Sequence, residues 1–192
     1  DLVGWQNSDD IYLPGAFFKV AEIYKKKPNY DIYFGNVYLI DENDFIIRDI
    51  RYTPFSYFSL IYEGWNITNQ ATFFKKDSLK SYKLDESYQY AMDGYLFTNL
   101  GKDKKRFKFI REFLGAFRIQ PKSKGQTIDK IGKKEWIKLR NLLGIKMRDD
   151  IPWSRQFRFQ KFLSKIRRIL YYILQGDWDY VIRGAVNRLK GE

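Results

Sequence analysis

The sequence predicts an α/β fold, a mixed sheet flanked by helices, carrying a basic helical tail at its C-terminal end. Three observations predict it. Leu2–Trp5 is a short apolar run without polar alternation, as in a strand buried on both faces of a parallel sheet. Strand-like and helix-like segments then alternate, the clearest pair being a helix over Phe17–Lys27 followed by the β-rich stretch Asp31–Ile40. Residues 151–192, last, carry nine basic and three acidic side chains, a net +6 that is half of the excess of the whole chain.

Taken in order, the acids Asp9 and Asp10 follow the first strand and lie in a turn. The helix Phe17–Lys27 ends at a lysine run and Pro28, which cannot continue it. Asp31–Ile40 is bounded by Pro28-Asn29 and by Asp41-Glu42-Asn43-Asp44, a turn leading to a second strand over Phe45–Arg48, hence a hairpin. Phe55–Tyr62 reads as a short helix, and Ile67–Lys75 as a strand because Thr68, Thr72, Phe73 and Phe74 suit a pleated surface. Tyr88–Asn99 becomes helical from about Met92, Gly101–Lys108 is a charged turn, and Phe109–Arg118 is a mostly apolar segment. Thr127–Leu143 has apolar residues at helical spacing around Trp136, with Gly144 as its terminator. Beyond it, Phe159, Phe162, Ile166, Ile169, Leu170 and Ile173 share one helical face, and Arg158, Lys161, Lys165 and Arg168 another. Gly176-Asp177 break the chain before a last helix, Trp178–Leu189.

Composition removes whole classes of chemistry. The 192 residues contain no cysteine and no histidine. Disulfide frameworks, thiol nucleophiles, thiolate zinc sites, Ser-His-Asp triads and imidazole bases are therefore all excluded. Acid–base or metal chemistry must rest on carboxylates. The formal charge of +12 points to an anionic partner. Aromatics at 19% with a mean hydropathy of −0.53 suit a folded protein rather than a basic tail. No apolar run is long enough to span a bilayer, and the absence of cysteine makes a cytoplasmic protein the simpler expectation.

Asp9-Asp10, at the carboxyl end of a strand, occupy the place where open α/β sheets bind ligands. Adjacent acids there suit a hard divalent cation and a sugar hydroxyl, and they equally suit an ordinary cap for the following helix. Four ordered blocks surround them: Gly4-Trp5-Gln6-Asn7-Ser8-Asp9-Asp10-Ile11-Tyr12-Leu13-Pro14-Gly15-Ala16; Asp31-Ile32-Tyr33-Phe34-Gly35-Asn36-Val37; Asn69-Gln70-Ala71-Thr72-Phe73-Phe74; and Leu84-Asp85-Glu86 with Asp93 beyond. In order and spacing, over roughly residues 1–130, this resembles the family 2 glycosyltransferases of the GT-A fold. The resemblance implies inverting transfer of a sugar from a nucleotide-sugar donor, assisted by Mn²⁺ or Mg²⁺ on the diphosphate.

By position, the resemblance implies that Asp10 binds the metal, Asp9 lies on the nucleotide side, and Asp93 is the catalytic base for the acceptor hydroxyl. From its own surroundings Asp93 reads as a helix-surface acid. Asn69 and Gln70 resemble residues near the acceptor or donor sugar. Trp65 either stacks on a sugar ring or belongs to the core. Arg118, Gln120 and Ser123, with Lys122 and Lys124, either close over the diphosphate or form a solvated basic loop. The chain departs from the family pattern in three ways. The opening βαβ segments that hold the nucleotide have no counterpart before Asp1, so the chain is expected to begin inside a domain. Gln120 stands where many members have histidine, and Asn36 replaces a common aspartate.

The expected organisation is a C-terminal portion of a GT-A-like catalytic domain over 1–126, a helix packing on it over 127–150, and the basic amphipathic tail over 151–192. The tail can pack its apolar face on the domain, meet an anionic membrane surface, or do both. The implied partners are a UDP-, GDP- or dTDP-sugar and a glycan or lipid-linked acceptor, with a role in cell-surface polysaccharide or lipopolysaccharide synthesis at the inner face of the plasma membrane. Nucleic acid is not an expected partner under this reading. The alternatives are a basic aromatic-rich nucleic-acid-binding module and a catalytically inactive glycosyltransferase-like subunit.

Overall fold

The computed structural model describes residues 1–64, 66–119, 129–145 and 154–190. In chain order these form strands β1 (Leu2–Gly4) and β2 (Ile11–Tyr12), helix α1 (Ala16–Lys26), strands β3 (Ile32–Ile40) and β4 (Ile46–Ile50), and helix α2 (Tyr57–Glu63). A 3₁₀ turn at Asn69–Ala71 leads into β5 (Thr72–Lys75), followed by α3 (Lys76–Leu79), α4 (Met92–Lys102) and β6 (Phe107–Arg118). Helices α5 (Asp129–Leu142), α6 (Arg155–Leu174) and α7 (Trp178–Lys190) complete the described chain.

The β-rich segment read from the sequence becomes the centre of one mixed sheet, ordered β1-β5-β3-β6-β2. Along one side of β3, residues 32–34 pair antiparallel with β5 and residues 37–40 with β4, while β6 runs parallel along its other side. The register shifts around Asn36, so the strand bends where its neighbour changes. Helix α1 covers one face of the sheet through Ala16 and Val20, which pack with Tyr33, Val37 and Leu114. Residues of α2, α4 and α5, among them Leu60, Phe97, Trp136 and Leu139, cover the other face with Phe34 and Phe74. The predicted hairpin forms. The Asp41 carboxylate accepts hydrogen bonds from the backbone N–H groups of Asn43 and Phe45, and Asp44 takes a φ of 69°, a conformation that Asp tolerates in turns.

Three expectations change. The first strand is not a parallel one buried between neighbours: β1 is an edge strand paired antiparallel with β5. Its unbroken apolar pattern arises because Leu2 faces the α1 side and Val3 the α2–α4 side, so both faces of the edge are covered. The strand expected over Ile67–Lys75 is a strand only from Thr72, because Asn69 and Gln70 are drawn into a tight turn against β6. Helix α6 is rotated opposite to the packed alternative, with Phe162 57% and Ile166 38% exposed while Phe157, Ser164 and Tyr172 are buried. Polar anchors set that rotation. Ser164 Oγ donates to Glu63 Oε1 at 2.6 Å, Arg168 Nη2 to Glu63 Oε2 at 2.8 Å, and the Tyr172 hydroxyl to the Arg51 carbonyl. With these contacts made, the polar side of the helix faces the body. Among the described residues no helix is long and apolar enough to cross a membrane.

Candidate functional site

The acidic turn between β1 and β2 is built by long-range contacts. Helix α1 starts from Gly15 at φ 80° with no side-chain cap, so neither Asp9 nor Asp10 serves as its N-cap. Instead Asp10, 7% exposed, turns inward. Its Oδ1 accepts the backbone N–H of Arg118 at 2.9 Å, and its Oδ2 accepts Asn7 Nδ2 at 2.9 Å and Gln70 Nε2 at 2.8 Å. Burial pushes the Asp10 carboxyl above its ordinary value; these three hydrogen bonds pull it back and the neighbouring Asp9 charge pushes it further up. Asp9 is half-exposed, and among the described residues no hydrogen bond or ion pair engages its carboxylate.

Arg118 locks this turn to the hairpin. Its Nε donates to the Asp9 carbonyl at 2.8 Å, Nη1 to the Asp41 carbonyl at 2.8 Å, and Nη2 pairs with Asp44 Oδ1 at 2.6 Å. The guanidinium thus holds the site together from the end of β6. The register of β2 on β6, Ile11 with Ala116 and Tyr12 with Gly115, carries the turn to that strand end. At Gly115 the 3₁₀ turn bearing Asn69 and Gln70 crosses so closely that a Cβ would collide with the Gln70 carbonyl. Asn69 reaches the Trp5 carbonyl at 3.5 Å. Next to the acidic turn, the side-chain N and O of Gln6 are both buried without a hydrogen-bond partner, an uncommon state for a native amide.

The cluster extends through a residue that local pattern does not reveal. Thr68 Oγ1 donates to Gln70 Oε1. Burial raises the Tyr52 phenol, and the charge of Asp93 adds to that rise. The hydrogen-bonded chain runs Asp10–Gln70–Thr68, and Asp93 stands within electrostatic reach of the buried Tyr52 phenol. Asn36, at the bend of β3, fixes Tyr52 by accepting its backbone N–H at 2.8 Å.

Asp93 sits in the first turn of α4, half-buried, with its Oδ1 accepting the Gly94 N–H at 2.8 Å. Burial pushes its carboxyl up to about 7, against the opposing pull of the Gly94 and Asp93 backbone N–H groups. A carboxyl in that range is matched to proton transfer near neutrality, which a surface acid at its ordinary value is not. The helix start is held from outside. Ala91 cannot cap α4, and the Glu135 carboxylate on α5 accepts the N–H groups of Gln89, Tyr90 and Ala91 at 2.8, 2.9 and 2.8 Å. The only local sign is that missing cap, because Glu135 lies more than forty residues away. Glu135→Gln is expected to lower stability by about 1–3 kcal/mol, since its amide turns a donor toward backbone donors; thermal unfolding checks this.

The structure thus brings Asp9, Asp10, Asn69, Gln70 and Arg118 to one end of the sheet, while Asp93, among the described residues, shares no hydrogen bond with them and reaches only the Tyr52 phenol through its charge. Trp65, Gln120 and Ser123, with Lys122 and Lys124, lie outside the described residues. Comparison with protein-family models and with curated proteins finds no match.

Proposed function

We propose that this chain carries the acceptor side and acidic turn of a GT-A-like, inverting, family 2 glycosyltransferase that moves a sugar from a nucleotide-sugar donor to an acceptor hydroxyl. The observation that carries the reading is an acidic turn held by Gln70 and Arg118 in a chain whose Asp93 carboxyl is pushed up to about 7 by burial. In this reading Asp93 accepts the proton of the acceptor hydroxyl as its oxygen bonds to the anomeric carbon and the bond to the diphosphate breaks. Gln70 and Asn69 border the sugar, and Arg118 keeps the acidic turn in register.

The donor set fits a hard cation. Asp9 offers an unengaged, half-exposed carboxylate, and Asp10 Oδ1, with a single hydrogen bond, keeps a lone pair. Among the described residues no group of three or more ligating side chains occurs. Mg²⁺ or Mn²⁺ would therefore draw on the Asp9–Asp10 pair and complete its shell with diphosphate oxygens and water, offsetting charge on the leaving group. The proposed partners are a UDP-, GDP- or dTDP-sugar and a glycan or lipid-linked acceptor in cell-surface polysaccharide assembly.

The test is metal-dependent release of nucleoside diphosphate by the full-length protein across a panel of nucleotide sugars and acceptors. Asp9→Asn is expected to weaken metal dependence while leaving the melting temperature unchanged. Asp10→Asn is expected to lose activity and about 1–3 kcal/mol of stability together, because an amide must face at least one of three donors with a donor of its own. Undiminished release in both variants would refute the acidic turn as donor site. An inactive relative of the family would bind nucleotide without release.

A further inference from the structure

We propose that α6 and α7 form a docking surface for an anionic lipid bilayer, lying in the plane of the headgroups. The surface is an amphipathic helix turned outward. On α6 the side chains of Phe159, Phe162, Ile166, Leu170 and Leu174 follow one another at three- and four-residue steps, and all are exposed, Leu174 by 80%. Trp178 and Ile182, exposed by 54% and 60%, extend the apolar surface onto α7. Contiguous apolar surface of this kind on a folded chain marks an interaction site, since leaving it in water forfeits the driving force that folds the rest.

The orientation is built in. Besides the Glu63 and Arg51 contacts of Ser164, Arg168 and Tyr172, the corner between α6 and α7 is pinned at Asp177, whose Oδ1 pairs with Arg51 Nη1 and with Arg111 Nη2 at 2.9 Å. Arg183 of α7 pairs with Asp49 at 2.8 Å. These pairs tie both helices to β4 and β6 by their polar sides, which leaves the apolar sides facing away from the body. A groove of about 380 Å³ lined by Thr53, Pro54, Leu163, Ile166, Leu170 and Leu174 runs beside the strip and gives it depth.

Charge identifies the occupant. Helix α6 holds six cations and no acid in its 20 residues. At 100° per residue, Arg158 and Lys165 flank the apolar strip on one side and Arg167 on the other. Among the described residues no acidic group lies within ion-pair distance of Arg155, Arg158 or Lys165. An apolar strip flanked by cations, chiefly along its Arg158–Lys165 side, matches the boundary between acyl chains and anionic headgroups. A second copy docked on the same face would set cations against cations. A nucleic acid would satisfy the cations and leave the apolar strip in water. The surface stands independently of the glycosyl-transfer reading.

The experiment is flotation of the full-length protein with phosphatidylcholine vesicles, with and without roughly a third phosphatidylglycerol, beside two double variants, Phe162→Asp/Leu170→Asp and Arg158→Glu/Lys165→Glu. The expected result is retention on the anionic vesicles that falls at least about tenfold in each variant and in high salt, with melting temperatures unchanged because every substituted side chain is at least partly solvent-facing. No retention on anionic vesicles, or equal retention by all proteins, would overturn the proposal. So would a lipid-free dimer, seen by sedimentation velocity, that the Phe162→Asp/Leu170→Asp pair dissociates.

Discussion

Asp93→Asn is expected to reduce sugar transfer by about 10²–10⁴-fold, the range that a positioned base contributes, while nucleotide binding survives. The same carboxyl sets two pH dependences. In the folded chain its pKa is raised to about 7 from an ordinary 3.8, so the folded state holds this proton more tightly than the unfolded chain does. The stabilisation this provides is fully present below about pH 4 and is lost as pH rises through about 7. Transfer, which needs the ionised form, is expected to rise over the upper part of that window. Stability is therefore traded for activity at one residue. Asn cannot ionise, so Asp93→Asn should lack the decline and stand above the parent at pH 8 by on the order of 4 kcal/mol, one pKa unit corresponding to about 1.4 kcal/mol. Denaturant unfolding at pH 5 and pH 8, beside a pH–rate profile, checks both. A variant with full activity, or a parent whose rate is flat from pH 5 to 8, would remove Asp93 from the chemistry.

Gly115→Ala is expected to be the most damaging substitution of a single methyl group. The added carbon meets the carbonyl group of Gln70, with the Gln70 carbonyl carbon at 2.9 Å and the Ile11 carbonyl oxygen at 3.3 Å. These are backbone atoms from two elements, so no side-chain rotation relieves the clash. A loss of at least about 3 kcal/mol follows from such overpacking, which for a chain of this size is a fall in Tm of roughly 6–12 °C. Activity should fall further than stability, because the displaced segment carries Gln70 and through it Asp10. Gly184→Ala is the control. Its Cβ meets nothing within 4 Å in helix α7, and the change should gain about 0.5–1 kcal/mol from reduced chain entropy and better helix propensity. Parent-like melting of Gly115→Ala would show that the Gln70 turn is not held against β6.

Much of the architecture follows from local chemistry. Pro28 and the lysines end α1, the acid-rich tetrapeptide Asp41–Asp44 makes the hairpin turn, and Gly144 at φ 77° terminates α5. Each is decided by a residue's own backbone preferences and its nearest neighbours, which is why a linear reading finds it. The acidic turn was legible as a candidate site by its residue types. What its two acids do was not: whether Asp10 faces water or Gln70 depends on a partner sixty positions away.

The sequence by itself determined the order of helices and strands, the reliance on carboxylates in a chain without cysteine or histidine, and the concentration of cations at the C-terminal end. Only the tertiary structure decided that β1 sits at an antiparallel edge, that Glu135 holds the start of the helix bearing Asp93, and that Gln70 and Thr68 extend the hydrogen-bonded cluster from Asp10. It also decided the sense of α6. Helical periodicity separates an apolar face from a polar one but carries no label for inside and outside. That label came from Glu63, Ser164, Arg168 and Tyr172, whose hydrogen bonds can form only with the polar face turned inward.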